Sequence, residues 1–276
     1  MSMELSVQGK NAIVTGAAGN IGEACVRALA EAGANVLVAD MDAAAAERTV
    51  EKLQKEYPDV KLVPQVCDVT NKASVDAMVA AALEAFGRID ILNNIAGMST
   101  KVDFLEMPED IYDQMMDVNA KGTFLVDQAV LKAMIPNRSG KIVNMSSMSG
   151  KEGYPTNVAY SASKFAVTGM TQAIAKYAAP YNINVNCVCP GIVHTHIWDR
   201  LRCGCLLEGA DLRDSPEASP DGGGHCPHVP VSVFALCRQY DRPVHQRHRR
   251  TDPALSRQKS RRIRICKKPN GRRTCV

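Results

Sequence analysis

"NAIVTGAAGNIGEACVRALAEAGANVLVAD" occupies residues 11–40, and its reading decides the fold. "NAIVT" (11–15) is a short apolar run stopped by glycine. The Ala-rich stretch from Ile21 to Ala32 is helical in character, and "NVLVAD" (35–40) is strand-like again. Between the first strand and the helix, Gly16, Gly19 and Gly22 permit a tight turn and close approach of the backbone to a ligand. The N–H groups at the helix start, around Gly19, Asn20, Ile21 and Gly22, would then face a pyrophosphate. A plain strand-to-helix turn would also use glycine, so the context matters. Asp40 closes the second strand, where a carboxylate can accept both hydroxyls of an adenosine ribose and would repel a 2′-phosphate. A solvated loop aspartate is the bland alternative, since Asp42 lies close by. No Lys or Arg stands at 17, 18 or 41–43 to receive a 2′-phosphate, so NAD is expected rather than NADP.

Outward from this unit the alternation continues. Residues 43–57 read as helix with Pro58 beyond. Residues 61–68 read as strand, weakened by Pro64. Helix is expected over 71–86, strand over 88–93, and one or two helices over 109–135. Strand follows at 140–147, helix at 158–179 and strand at 182–190. Strands alternating with helices predict an α/β Rossmann-type doubly wound parallel sheet, with helices on both faces. Near-continuous apolar strands fit burial on both sides. Such sheets bind ligands at the carboxyl ends of their strands. Asp68, ending the third strand, falls where an adenine would lie, although capping of the next helix accounts for it equally well.

Composition divides the chain. Up to Arg200 there are 17 Lys+Arg against 22 Asp+Glu; from Leu201 on there are 16 against 7. Cys25, Cys67, Cys187 and Cys189 precede the divide, and Cys203, Cys205, Cys226, Cys237, Cys266 and Cys275 follow it. The early cysteines sit in apolar runs, where free buried thiols are expected. No signal peptide and no membrane-length apolar run is legible, so a soluble cytoplasmic domain is expected over residues 1–200.

"YSASK" sets Tyr160 and Lys164 four apart, on one face of a helix. An unperturbed tyrosine, with a pKa of about 10, is a poor base at neutral pH. A neighbouring ammonium and an oxidised nicotinamide would stabilise the phenolate and lower that value. Tyr160 could then take an alcohol proton while hydride leaves carbon. Ser147, ending the fifth strand, could hold the substrate oxygen. The alternative is a surface Tyr and Lys with a loop serine.

These residues carry a resemblance to the short-chain dehydrogenase/reductase family in its Tyr-x-x-x-Lys form, over about the first 200 residues. "TGAAGNIG" (15–22) resembles its TGxxxGxG, with Asn20 at the middle glycine and Gly19 one place early. Asp68-Val69 matches the adenine position. "NIAG" resembles NNAG with Ile95 in place of one Asn, and contributes Asn94, Ala96 and Gly97. "VNAKG" supplies Asn119, which by resemblance braces a water linking Lys164 to solvent. Ser147, Tyr160 and Lys164 complete the catalytic set, the last two also touching cofactor. "PGIVHT" resembles the PG motif, so that Pro190, Gly191, Val193 and Thr195 would hold the nicotinamide amide. The resemblance implies an NAD-dependent enzyme interconverting a secondary alcohol and a ketone, as a dimer or tetramer, with no nucleic-acid or membrane partner. "GKEGYPTNVAYSASK" and "HTHIWD" are similar to sugar-alcohol dehydrogenases. Tyr154, His194, His196 and Trp198 are expected at the pocket mouth, the two histidines as lid side chains and not as metal ligands.

The resemblance stops after Trp198. "YDRPVHQRHRR" (240–250) packs four arginines and two histidines into the region where the family has its final strand. A basic nucleic-acid arm lacks aromatics to stack bases. A zinc site built from Cys203, Cys205, His225, Cys226, His228 and Cys237 lacks paired CxxC spacing. The third reading is a change of frame. Back-translated and read one base later, 240–250 allow "MTGQSINVTGG", and Asp214–Cys226 allow "IPLKRPQTEEDIA". Both resemble the family's own text in those places. The expectation is therefore a base lost or gained between about Trp198 and Asp214. It also covers a sheet lacking its last strand, a disordered 201–276 tail, and at worst a catalytically impaired remnant that binds only cofactor.

Overall fold

The computed structural model describes residues 7–191. Six strands form one parallel sheet: β1 (Asn11–Thr15), β2 (Asn35–Asp40), β3 (Leu62–Val66), β4 (Ile91–Asn94), β5 (Gly140–Met145) and β6 (Ile183–Val188). Their order is β3-β2-β1-β4-β5-β6. The helices are α1 (Asn20–Glu31), α2 (Ala43–Glu56), α3 (Lys72–Phe86), α4 (Glu109–Met115), α5 (Gly122–Met134) and α6 (Val158–Ala178). The chain reverses direction across the sheet between β1 and β4, which opens a crevice at their carboxyl ends.

Apolar clusters cover both faces, as the continuous runs in the strands require. One packs Ile13, Leu37, Leu92 and Ile142 against α3, α5 and α6. The other packs Val14, Val36 and Val38 against α1 and α2. Alternate residues of one strand therefore serve opposite cores.

The outer strand β3 tolerates Pro64, which pairs in register with Val38. Its missing N–H falls on the side with no neighbour. The fourth strand begins at Ile91, not at Arg88; Asp90 just before it bonds Asn11 and Lys141 through its main chain, and its carboxylate accepts the Asn11 N–H. The 109–135 stretch is one continuous helical path. Its two α segments are joined by a π-helical turn, Met116–Lys121. Among the described residues β6 is the sheet's other edge. The expectations of an absent last strand and a disordered tail lie outside the described residues.

Candidate active site

The glycine turn is shaped by contact. Gly16 has φ of 61°, a left-handed conformation, and a Cβ there would come within 2.9 Å of the Ala96 Cα. A Cβ on Gly22 would overlap the Gly16 carbonyl, so α1 lies closer to β1 than any side chain allows. Gly19 is the N-cap of α1 in extended geometry (φ −76°, ψ 163°), and Asn20 is the first helical residue. Neither needs a positive φ, which explains why Asn is accepted where the family pattern has glycine. No side chain caps the first turn of α1. Its N–H groups, with Ile21 beside them, suit a diphosphate, so the cradle fits a dinucleotide.

Asp40 bends back over this turn. Its Oδ2 accepts from the Ala18 N–H at 2.9 Å and its Oδ1 from the Asp42 N–H at 3.2 Å. Asp42 instead caps α2, accepting from Ala45 N–H. The two aspartates thus have different tasks. Asp68 is not the N-cap of α3. Asn71 caps α3, accepting from Ala73 and Ser74 N–H. Asp68 is exposed and receives both the N–H and the hydroxyl of Thr70. Val69 is buried against Gly122.

β4 ends in a turn organised by Thr15. Its hydroxyl donates to Asn94 Oδ1 at 2.9 Å and accepts from the Ile95 and Ala96 N–H groups at 3.0 and 3.2 Å. The Asn94 carboxamide also donates to Asp127 and to the Thr123 carbonyl. It is therefore committed inward, and the 94–97 turn offers a ligand its main chain and the small Ala96 and Gly97. Gly97 is tight: a Cβ there would lie 2.9 Å from Asn119 Oδ1 and 3.4 Å from Lys164 Nζ.

Asn119 sits in the π-turn, fully buried. The wider turn suits it to grip another segment. Its Oδ1 accepts from Met98 N–H at 2.8 Å, while its Nδ2 donates to the Met98 carbonyl at 2.9 Å and to Ser163 Oγ at 3.0 Å. It ties the loop after β4 to α6.

α6 carries the chemical pair. Lys164 is 3% exposed and donates to the Met145 carbonyl at 2.8 Å. Burial lowers its pKa to about 8. The ammonium lies 5.6 Å from the centre of the Tyr160 ring. Ser147, at the end of β5, accepts from Ser149 N–H at 3.2 Å and hydrogen-bonds Tyr160. The expected lowering of the Tyr160 pKa is not found in the chain by itself. Burial raises it, and only the Ser147 hydrogen bond pulls it down. The larger cause is desolvation of the phenol, which the Ser147 hydrogen bond only partly offsets. Pro190 closes the site from β6, its carbonyl accepting Met148 N–H at 2.9 Å, and Gly191 follows. Val193, Thr195, His194, His196 and Trp198 lie outside the described residues. Tyr154 is half-buried just before α6.

One family profile accounts for this constellation: that of the short chain dehydrogenases, which matches residues 10–204. The chain belongs to the short-chain dehydrogenase family. It is 36% identical over 210 residues to the NAD-dependent glycerol dehydrogenase of Listeria innocua, covering 76% of this chain and 80% of that one. It is 40% identical over 197 residues to a subunit, BbsD, of a substituted succinyl-CoA dehydrogenase from Thauera aromatica, covering 71% and 78%. Among solved structures, NAD+-bound xylitol dehydrogenase superposes with a TM-score of 0.68 at 37% identity, covering 70% and 75%. The protein is thus an oxidoreductase of alcohols and ketones, in a family that binds nicotinamide cofactors. No described helix is long and apolar enough to cross a membrane.

Sequence reasoning missed three members of the site region. Ser163 lies inside "YSASK" and bonds both Asn119 and the Tyr160 carbonyl. Cys189 lies close enough to Lys164 to influence its charge. Asp127 is fully buried beneath the 94–97 turn. Of the cysteines, Cys25 and Cys67 are buried as expected, but Cys187 and Cys189 are only partly so.

Proposed function

We propose that the protein is an NAD-dependent dehydrogenase of secondary alcohols, with a polyol or sugar alcohol as its substrate class. Asp40 carries the cofactor part of this reading. Its carboxylate is anchored on the glycine turn at the end of β2, where it can accept from ribose hydroxyls and repel a 2′-phosphate. The polyol part is supported by likeness to proteins described as glycerol and xylitol dehydrogenases. In this reading Ser147 holds the substrate oxygen and Tyr160 removes its proton as the C–H hydride departs and the C=O bond forms. Bound NAD would accept that hydride. Lys164 supplies positive charge beside Tyr160, and the nicotinamide's own charge completes the lowering that burial opposes. Asp68 and Val69 would border the adenine, and Pro190, Gly191, Val193 and Thr195 the nicotinamide amide. Exposed Tyr112, Phe124 and Phe165 on the neighbouring helices α4, α5 and α6 support a homo-oligomer. Initial rates with NAD and NADP over a panel of polyols, steroids and hydroxyacids test the reading. Polyol oxidation with NAD supports it, and preference for NADP or for acyl thioesters sinks it.

A second reading concerns the chain beyond residue 204. The family match ends there although the chain runs to residue 276. The relatives are matched over about four fifths of their own length. A frame change between about Trp198 and Asp214 accounts for both facts, and leaves a chain that is catalytically impaired. Resequencing the gene across codons 195–215 tests it: an unbroken frame there removes this reading.

A further inference from the structure

A chain of buried polar groups runs beneath the active site, with Asp127 at its centre. Asp127 projects from α5 between the sheet and α6 and is fully buried. Its Oδ1 accepts from Asn94 Nδ2 at 3.3 Å and its Oδ2 from Asn144 Nδ2 at 2.7 Å. Those two asparagines lie side by side in register on β4 and β5. On the first side, Asn94 Oδ1 accepts from Thr15, whose hydroxyl orders the Ile95 and Ala96 N–H groups. On the second, Asn144 Nδ2 also donates to Thr171 on α6 at 3.1 Å, and Asn144 immediately precedes Met145, whose carbonyl holds Lys164. The chain of bonds thus begins at the turn beside the glycine cradle and ends at the helix bearing Tyr160 and Lys164.

A carboxyl is a specific choice here. Both amide groups present N–H to it, so the position needs an acceptor on each oxygen. A carboxylate provides two, whereas a carboxamide would oppose one donor with another. A buried carboxyl without a cation is costly, and burial raises its pKa to about 7. Packing alone is met more cheaply by an apolar side chain at this core position.

We propose that Asp127 is a positioning residue: through Asn94 and Asn144 it fixes the 94–97 turn against α6, and so sets the floor of the cofactor site relative to Tyr160 and Lys164. This rests on the proposed nicotinamide function only in what the turn faces. The positioning itself is a property of the chain.

The full chain is tested without cofactor by residue-resolved amide hydrogen exchange. Asp127→Asn should accelerate exchange at Ile95 and Ala96 by about tenfold, leaving β2 and α2 unchanged. The exchanged pair Asp127→Asn/Asn144→Asp should restore protection. The carboxamide introduced on α5 would then accept from Asn94 and donate to the new carboxylate on β5. Fluorescence titration with NADH provides the second readout, weakened in the single variant and recovered in the pair. Unchanged exchange at Ile95 and Ala96 in Asp127→Asn overturns the proposal. So does acceleration spread evenly over the fold, or a double variant that fails to fold or protects no better than the single one. Exchange that behaves as expected in a chain that binds no NADH leaves the positioning intact and counts against the cofactor reading instead.

Discussion

Lys164 carries its ammonium into a site from which water is almost excluded, and the cost is measurable. Its folded pKa is lowered to about 8 by burial, against about 10.4 in the unfolded chain. Between those values the unfolded state holds more protons, so stability rises with pH over that window. Lys164→Met, which keeps the stem packing, should abolish the rise. Thermal melts of both chains from pH 7 to 10.5 check this, and parallel curves would show that the ammonium is not desolvated. Tyr160→Phe removes the acid/base and retains the ring, so in the frame-restored chain turnover should fall by about a thousandfold while NADH binding survives. Substantial activity in that variant ends the proposed chemistry. Asp40 needs a gentler change, because its carboxylate also holds Ala18 N–H. Asp40→Asn keeps that acceptor and should weaken NAD by about tenfold while NADP binding improves; equal effects on both cofactors would take Asp40 away from the ribose. Ser147, Tyr160 and Lys164 could be picked out because they stand at a strand end or in a short spaced pair; Asn119, in the π-turn, was reached only through the family resemblance. The Tyr160 environment was not legible. How far burial strips water from a phenol is set by packing, which spacing does not encode.

At the scale of elements, close approach decides more than propensity. Gly22 lets α1 settle on the first turn, and a Cβ there would also come within 2.7 Å of the Ala17 Cα. Because those neighbours are backbone, Gly22→Ala should cost about 1–3 kcal/mol and lower the melting temperature accordingly. A melt unchanged by this substitution would mean the turn can widen. The alternation of strands and helices was readable over all six strands, since each apolar run is bounded by Gly, Pro, Asn or Asp. The π-turn was not, because one extra residue in a helix leaves the surrounding periodicity nearly unchanged. Asp127 shows how a signal is overlooked. It stands beside Gln128 and suggests a solvent face, yet Thr123, Val126, Val130, Leu131 and Met134 are all buried with it at helical spacing, while Phe124 is half-exposed. Position in the stripe outweighed residue type. The raised pKa of Asp127 acts opposite to that of an ordinary paired carboxylate. Between about pH 4 and pH 7 the folded state holds the extra proton, so stability falls as pH rises, by about 1.4 kcal/mol per unit. Asp127→Asn should flatten that part of the stability curve.

At the scale of the whole molecule, β6 is the last strand of the sheet among the described residues. β6 pairs with β5 through Ile183–Val188. Ile183 and Val185 are buried, but Asn184, Asn186, Cys187 and Val188 are only half so. An apolar strand at an edge presents unpaired N–H and C=O groups to any other chain. The family match ends at residue 204, while the chain runs to residue 276. Read one base later, residues 240–250 allow "MTGQSINVTGG", a strand-like run with the alternation a neighbour of β6 requires. About four ladder hydrogen bonds at about 1 kcal/mol each, with the apolar area they cover, give roughly 4 kcal/mol or more. For a domain of this size that corresponds to about 10 °C in melting temperature. Restoring the frame between Trp198 and Asp214 should therefore give a chain that melts cooperatively and about that much higher, assembles as an oligomer on a sizing column, and turns over NAD with a polyol. The chain as given should be less soluble and weakly active or inactive, even where its glycine turn still binds NADH. A restored chain that is neither more stable nor more active defeats the frame account, and the arginines and cysteines beyond residue 204 would then require a purpose of their own.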